Sequence, residues 1–416
     1  MTLALRHLRV FLAVVDHGSV TRASEALFRA QSAITRSIRE LEDDLGVPLF
    51  ERRAQGMLTT RYGEALERRA RRVAGELQDA RRELARLAGP ARAIGNAPVF
   101  ALLVNEKRLR AFVALTELHH MPSVAREIGI TQPAVSAAVR ELEDSLGVPL
   151  FTRSARGMQP SDCGDVLALH VKRALAELRH ARDDVAALGG TTRGTVVVGA
   201  LPLGRTLILP RAVARVATRH PGLHLATVEG PFATLAAALR AGDIDLILGA
   251  LRPPSFATDL AGEALLRDEL RVVVRADHPL LRGQACSLDA VARRPWVLPR
   301  AGAPTRDLIE ALFAERGIAP PEVRVETSDL AVLRGLLLES DLVTAISPQQ
   351  LHYEFGSGLL AALPIPLPET SREIGIIVRA GSVPSPGSER LIAEIRTVAR
   401  EIAAARELPR RLAANE

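Results

Sequence analysis

Apolar residues recur along the first half of the chain with the 3.6-residue period of helices that bury one face. Leu8, Phe11, Leu12 and Val15 set a first helix, which stops at Gly18. Ser19 or Thr21 can cap a second helix running through Leu27. A third is predicted from about Gln31 to Leu45, with Ile34, Ile38, Leu41 and Leu45 on its buried face. The stretch from Pro48 to Met57 reads as a basic hairpin turning at a glycine. Beyond it, Leu66, Ala70, Val73, Leu77, Ala80, Leu84 and Leu87 alternate spacings of four and three, the seam of a long helix that requires a partner helix. Dimerisation through that seam is the working expectation.

The same text then returns. Residues 8–89 align without a gap on 109–190, and roughly 31 of the 82 pairs are identical. The densest match sets Arg39 to Asp43 and Leu45 to Phe50 against Arg140 to Asp144 and Leu146 to Phe151. The second long seam is Leu167, Val171, Ala174, Leu178, Ala181, Val185 and Leu188. A module of about 85 residues is therefore present twice.

The outward face of each third helix carries the candidate chemistry. Gln31, Ser32, Thr35, Arg36 and Arg39 in copy one, and Gln132, Pro133, Ser136 and Arg140 in copy two, combine short polar side chains near a helix N-terminus with arginine. Such a helix fits a major groove, where short polar groups reach base edges and arginine reaches bases or phosphates. Arg52, Arg53 and Arg153 lie on the hairpins, which then act as wings against DNA. Copy two has Thr131 at the cap position and Pro133 in the first turn, both favourable, where copy one has Ala30 and Ser32.

Ala23-Ser24-Glu25-Ala26-Leu27, Ala30 to Thr35, Arg39 to Glu42, Leu45-Gly46 and Leu49 to Arg52 together resemble the DNA-binding domain of LysR-type transcriptional regulators. Thr131 to Ser136 and Phe151-Thr152-Arg153 resemble it equally. Members of that family ordinarily carry one such domain. From Thr195, β-branched runs alternate with helical stretches, an α/β region of mostly parallel strands in two small lobes. Thr195 to Gly199, Ala241 to Leu246, Arg275 to Leu280 and Asp341 to Pro348 resemble the family's effector domain. The resemblance implies a type 2 periplasmic-binding-protein fold with a ligand between the lobes. It places Leu203, Gly204, Pro231, Arg300, Thr305, Arg306 and Ser328 at the cleft, with Leu203 where family members often carry a hydroxyl. The fold class is thus multidomain: two all-α winged helix-turn-helix modules with long linker helices (1–95 and 96–190), then a two-lobed α/β effector domain (191–408).

Composition sharpens this reading. The net charge of +6 divides into +5 over residues 1–95, zero over 96–190 and +1 over the remainder, so copy one is expected to supply more of the attraction to phosphate. Aromatic residues at 3% argue against a single-strand stacking platform. Cys163 and Cys286 stand far apart without CxxC spacing, no apolar run nears 18 residues, and Arg6, His7 and Arg9 precede any secretory segment, so a cytoplasmic protein is expected. No catalytic motif, metal-ligand spacing or cofactor loop is found; His119-His120 lacks carboxylate or cysteine partners, and His278-Pro279 reads as a loop end. The expected partners are double-stranded DNA, a small-molecule effector, further copies of the chain as homodimer or homotetramer, and RNA polymerase, with no membrane. Two alternatives stay open: a second copy that only dimerises, and a solute-binding or metabolic α/β protein with fused helices.

Overall fold

The computed structural model describes residues 3–413 except 54–55, 90–93, 95–96, 156, 254–256 and 283–285, with side chains left aside at 52–53 and 406–413. The N-terminal half opens with helices α1 (Leu5–His17), α2 (Val20–Ala26) and α3 (Gln31–Leu45). The hairpin β1 (Phe50–Arg53) and β2 (Gly56–Thr59) and the long α4 (Arg61–Ala88) follow. The order then returns as α5 (Glu106–Leu118), α6 (Met121–Ile128), α7 (Gln132–Leu146), β3 (Phe151–Ser154), β4 (Gly157–Pro160) and α8 (Asp162–Leu188).

Local chemistry sets these elements twice over. Gly18 and Gly46 close α1 and α3 in the left-handed conformation. Glu42 accepts from the Leu49 and Phe50 amides at 2.7 and 3.3 Å, and Glu143 from Leu150 and Phe151 at 2.8 and 3.2 Å. Each hairpin returns to the turn after its first helix, Met57 N–H to the Gly18 carbonyl and Met158 N–H to that of His119, both at 2.9 Å. Thr60 and Ser161 cap the long helices by accepting from Gly63 and Gly164. Those glycines are obligatory for space: a Cβ would lie 2.2 Å from the Leu49 carbonyl oxygen and 2.1 Å from that of Leu150.

The seam of α4 is closed by α8 of the same chain. Leu66, Ala70, Val73, Leu77, Ala80 and Leu84 are buried with Leu167, Val171, Ala174, Leu178 and Ala181 in one apolar core that spans both halves of the repeat. Val185 is buried as well, whereas Leu87 and Leu188 at the helix ends are exposed. This corrects the expectation of dimerisation through the seam: an apolar stripe demands a partner helix, and the nearest one stands a repeat away on the same polypeptide. Between α4 and α5 the chain lies largely outside the described residues over 89–99, but Ile94, Ala97 and Val99 belong to the same core.

The C-terminal half forms two lobes. Lobe one begins with β5 (Gly194–Ala200), α9 (Pro202–Arg205), α10 (Ile208–Arg219), β6 (Leu223–Glu229), α11 (Phe232–Ala241), β7 (Leu246–Ala250) and β8 (Leu260–Asp268). Lobe two contains β9 (Arg271–Arg275), α12 (Leu288–Ala292), β10 (Trp296–Leu298), α13 (Pro304–Glu315), β11 (Val323–Glu326), α14 (Leu330–Glu339), β12 (Thr344–Ile346), α15 (His352–Gly356) and β13 (Leu360–Ala362). The chain then returns to lobe one in β14 (Arg372–Arg379) and α16 (Pro386–Ala413).

The sheets are mixed, not mostly parallel. Lobe one runs β6-β5-β7-β14-β8, with β14 antiparallel to both β7 and β8; in lobe two β9 is antiparallel to β12 and β13, while β10 and β11 are parallel. A bridge from Trp296 to Val343 joins the two parts of lobe two. In lobe one the antiparallel strand is β14, which re-enters the lobe after the second crossover and lies between β7 and β8. A break between α9 and α10 starts the latter at Ile208, which leaves Pro210 in a first turn, where its missing N–H costs nothing.

Candidate nucleic-acid interface and cleft

The seam relates the two N-terminal units by an exchange of roles. Arg69 Nη1 donates to Glu177 at 2.8 Å and Nε to Asp184 at 2.7 Å. One repeat away, His170 Nδ1 lies 2.8 Å from Glu76 and Nε2 3.4 Å from Glu83. Arg72 meets Glu177 at 2.7 Å, and its counterpart Arg173 approaches Glu76 at 3.7 Å. Residue i contacts j while the counterpart of j contacts that of i, the signature of a two-fold axis. Partner numbers fall as those of α4 rise, so the helices are antiparallel.

Both third helices expose the predicted face. Gln31, Ser32, Arg36 and Arg39 are exposed on α3, with Thr35 half-buried. Gln132, Pro133 and Arg140 are exposed on α7, with Ser136 half-buried. Among the described residues Arg36 pairs with Glu40 at 2.8 Å, an exposed contact that a phosphate or base readily replaces. Thr131 accepts from the Ala134 amide at 3.4 Å, whereas Ala30 makes no side-chain cap. Arg153 is exposed on β3; Arg52 and Arg53 lie on β1 with side chains outside the described residues.

One residue at this face escaped the sequence reading. Phe28, in the turn between α2 and α3, is 96% exposed and holds φ at 51°. Its counterpart is Gly129, with φ 69°. An apolar residue aligned with a turn glycine was the available signal.

The predicted cleft residues divide. Leu203 is buried in the lobe-one core, and a Cβ on Gly204 would lie 2.8 Å from the Leu248 carbonyl oxygen, so these two serve packing. Pro231, Arg300 and Ser328 are exposed. Arg306 pairs with Glu310 and donates to the Pro299 carbonyl at 3.4 Å. Thr305 accepts from Arg372 Nη1 at 3.4 Å. Arg372 itself was not foreseen. It begins β14, its Nε is buried without a hydrogen-bond partner, and burial lowers its pKa against the pull of Asp268 at 3.9 Å. Asp268 is buried and accepts from Ser347 at 2.8 Å and Gln349 at 3.0 Å, while the Leu270 amide donates to Thr370 at 3.0 Å. These bonds bind the two crossovers beside the Thr305–Arg372 contact.

The expected non-catalytic histidines have structural partners: His119 Nδ1 lies 3.1 Å from the Met158 carbonyl, and His278 caps the turn at Leu280. No helix among the described residues is long and apolar enough to cross a membrane.

Comparison with known proteins assigns both halves. The family described as bacterial regulatory helix-turn-helix protein, lysR family, matches residues 5–64 and again 107–165. The LysR substrate binding domain matches residues 189–400. The chain belongs to the LysR family of transcriptional regulators. The HTH-type transcriptional regulator GalR of Pseudomonas putida is 48% identical over 397 residues, covering 95% of this chain and 98% of its own length. The regulator PcaQ of Agrobacterium fabrum is 32% identical over 71% of this chain and 95% of its own. Two solved structures share the fold: a full-length OxyR variant of Pseudomonas aeruginosa (TM-score 0.54, 22% identity, 71% of this chain and 95% of that one) and CbnR complexed with its target DNA (0.52, 20%, 71% and 100%). This LysR chain is thus a DNA-binding transcriptional regulator with an effector-binding domain, and the relatives named are transcriptional regulators.

Proposed function

We propose that residues 1–95 and 96–190 are two winged helix-turn-helix modules of one duplicated kind, and that a single chain lays both on DNA as a covalently joined pair. The observation that carries this is the set of seam contacts repeated with roles exchanged, Arg69–Glu177 against His170–Glu76. In dimeric helix-turn-helix proteins a two-fold axis between units matches the two-fold character of the operator. Here the axis lies within the polypeptide. Copy one reads through Gln31, Ser32, Thr35, Arg36 and Arg39 with Arg52 and Arg53 on its wing, copy two through Gln132, Pro133, Ser136 and Arg140 with Arg153. The +5 charge of residues 1–95 makes copy one the stronger contributor to phosphate attraction.

The effector binds between the lobes of residues 191–408, where Thr305, Arg306 and the buried Arg372 favour an anionic group such as a carboxylate. Pro231, Arg300 and Ser328 border the cleft, while Leu203 and Gly204 form its packed wall. Further copies of the chain assemble into homodimers or homotetramers through surfaces other than the α4–α8 seam, and the protein acts in the cytoplasm.

The zero net charge of residues 96–190 favours a second reading, in which copy two serves as scaffold. Replacing Gln132 and Ser136 together by alanine separates the two. Loss of protection over one half of the footprint supports paired reading; unchanged affinity and footprint support the scaffold.

A further inference from the structure

We infer that the operator of this regulator is a composite of two unlike half-sites in fixed order, each specified by its own copy. The inference rests on the proposed reading in which both copies touch DNA. Its first support is that the frameworks are matched while the faces are not. Phe11 and Phe50 stack at 5.3 Å between ring centroids and Phe112 and Phe151 at 5.7 Å, and Glu42 and Glu143 make the same bonds to their hairpins. The two third helices are therefore held in equivalent positions within their units, so differences between their exposed residues are differences in what is read.

Those differences sit where base edges are met. Gln31 and Gln132 correspond, as do Arg39 and Arg140, and give both halves a common element. Between them, Ser32 is replaced by Pro133 and Arg36 by Ala137. Arg36 is 82% exposed on its side chain and presents the planar fork that recognises guanine O6 and N7. Pro133 and Ala137 offer no side-chain donor or acceptor; apolar groups of that size suit a thymine methyl. The turns ahead of the helices diverge too, Phe28-Arg29 against Gly129-Ile130. Phe28 keeps a fully exposed ring on a left-handed backbone that glycine would occupy without strain. Strain retained at an exposed turn beside a reading helix is the pattern of a contact residue.

Covalent connection supplies the last step. A homodimer presents identical faces, so its operator tends to a palindrome. Two faces on one chain remove that constraint, and the α4–α8 seam fixes which face stands on which side. A second copy of the chain then repeats the ordered pair as a unit.

Selection from random duplex DNA by the full-length chain, followed by sequencing, tests this directly. The expected motif has two dissimilar halves in one order, with guanine favoured in only one of them at the position read by Arg36. Palindromes built from either half alone should bind at least tenfold more weakly, since each wrong base pair generally costs about fivefold or more and each palindrome holds several. The variant Pro133→Ser, Ser136→Thr, Ala137→Arg should shift the second half towards the first, its melting curve confirming the fold. Arg36→Ala, at a surface position, should relax guanine preference in the first half only. A motif with two identical inverted halves would overturn the inference while leaving paired reading intact. A motif with one half alone would overturn paired reading and the inference with it.

Discussion

Arg69 and Glu177 face each other at 2.8 Å inside the seam between α4 and α8, with Arg69 1% exposed. All five guanidinium N–H groups are used: two carboxylates, Glu177 and Asp184, take three, and the Val383 and Pro384 carbonyls take the others at 2.8 and 2.9 Å. One side chain therefore fastens both long helices to the segment that follows β14. Burial of Arg69 opposes its charged form, and the two carboxylates more than offset this, raising its pKa. Removing it takes both guanidinium bonds from Asp184 and leaves Glu177 to Arg72 and Arg379. Arg69→Ala should lower stability by about 3–5 kcal/mol. Arg72→Ala, at a half-exposed position, should cost about 1 kcal/mol or less. Urea unfolding followed by circular dichroism distinguishes them; equal midpoints would contradict the account.

The junction of α8 with lobe one predicts a pH dependence. The Asp183 carboxyl lies over Gly194, where a Cβ would stand 2.5 Å from it. Its pKa is pushed from 3.8 to about 6, by burial first and also by Asp184 and Asp245, against the opposing pull of His180 and Arg179. The folded state then holds this proton more tightly than the unfolded chain does. The contribution of Asp183 to stability falls as pH rises from about 4 to about 6 and stays low above that. Asp183→Asn should raise the melting temperature at pH 7.5 and leave it nearly unchanged at pH 4. A gain of equal size at both values would contradict the assignment.

Phe28 makes a prediction of opposite sign for stability and binding. Its left-handed backbone costs a non-glycine residue roughly 1–2 kcal/mol. Phe28→Gly should leave the fold as stable or raise its stability by up to about 1 kcal/mol, while weakening DNA binding. Stability from thermal melts and affinity from fluorescence anisotropy would be compared on the same preparation. A variant that binds as tightly as the parent would show the ring to be idle.

Strand β14 joins the cleft to the seam. It starts at Arg372, beside Thr305 and Asp268, and ends at Arg379, whose Nη1 lies 3.3 Å from Glu76 and Nη2 3.8 Å from Glu177. With the effector placed as proposed beside Thr305 and Arg372, a shift of the strand would reach both long helices through Arg379. Arg379→Ala should retain DNA affinity within about threefold yet lose most of the transcriptional response to a small molecule that raises the parent's melting temperature. Arg372→Ala should lose the binding-induced melting shift itself. Normal response in both variants would remove β14 from the pathway.

Much of the N-terminal half was legible because its signals are local. Helix α3 starts and stops at the residues its period and Gly46 indicate, and the hairpin turns where Gly56 stands. The seam spacing showed that α4 needed a partner without saying whose helix it would be, since periodicity carries no information about chain identity. Strand β8, Leu260–Asp268, was not foreseen: its leucine, alanine and glutamate favour helix, and pairing with β14 overrides that preference. Arg372 was missed for a related reason. No motif surrounds it, and its neighbour Thr305 is 67 positions away, brought near only by the double crossover. Arg300 and Ser328 stood out in sequence as polar residues beside helix starts, a description that many exposed surface residues share.

The central claim is that one chain supplies both DNA-reading units. Native mass spectrometry of the full-length protein on a duplex holding a single minimal operator, with a hydroxyl-radical footprint of the same complex, tests it most directly. The account predicts one duplex bound per chain at saturation, so that a homodimer carries two duplexes, with two protected segments on the same face of each. Two chains per duplex, each protecting a single segment, would contradict it.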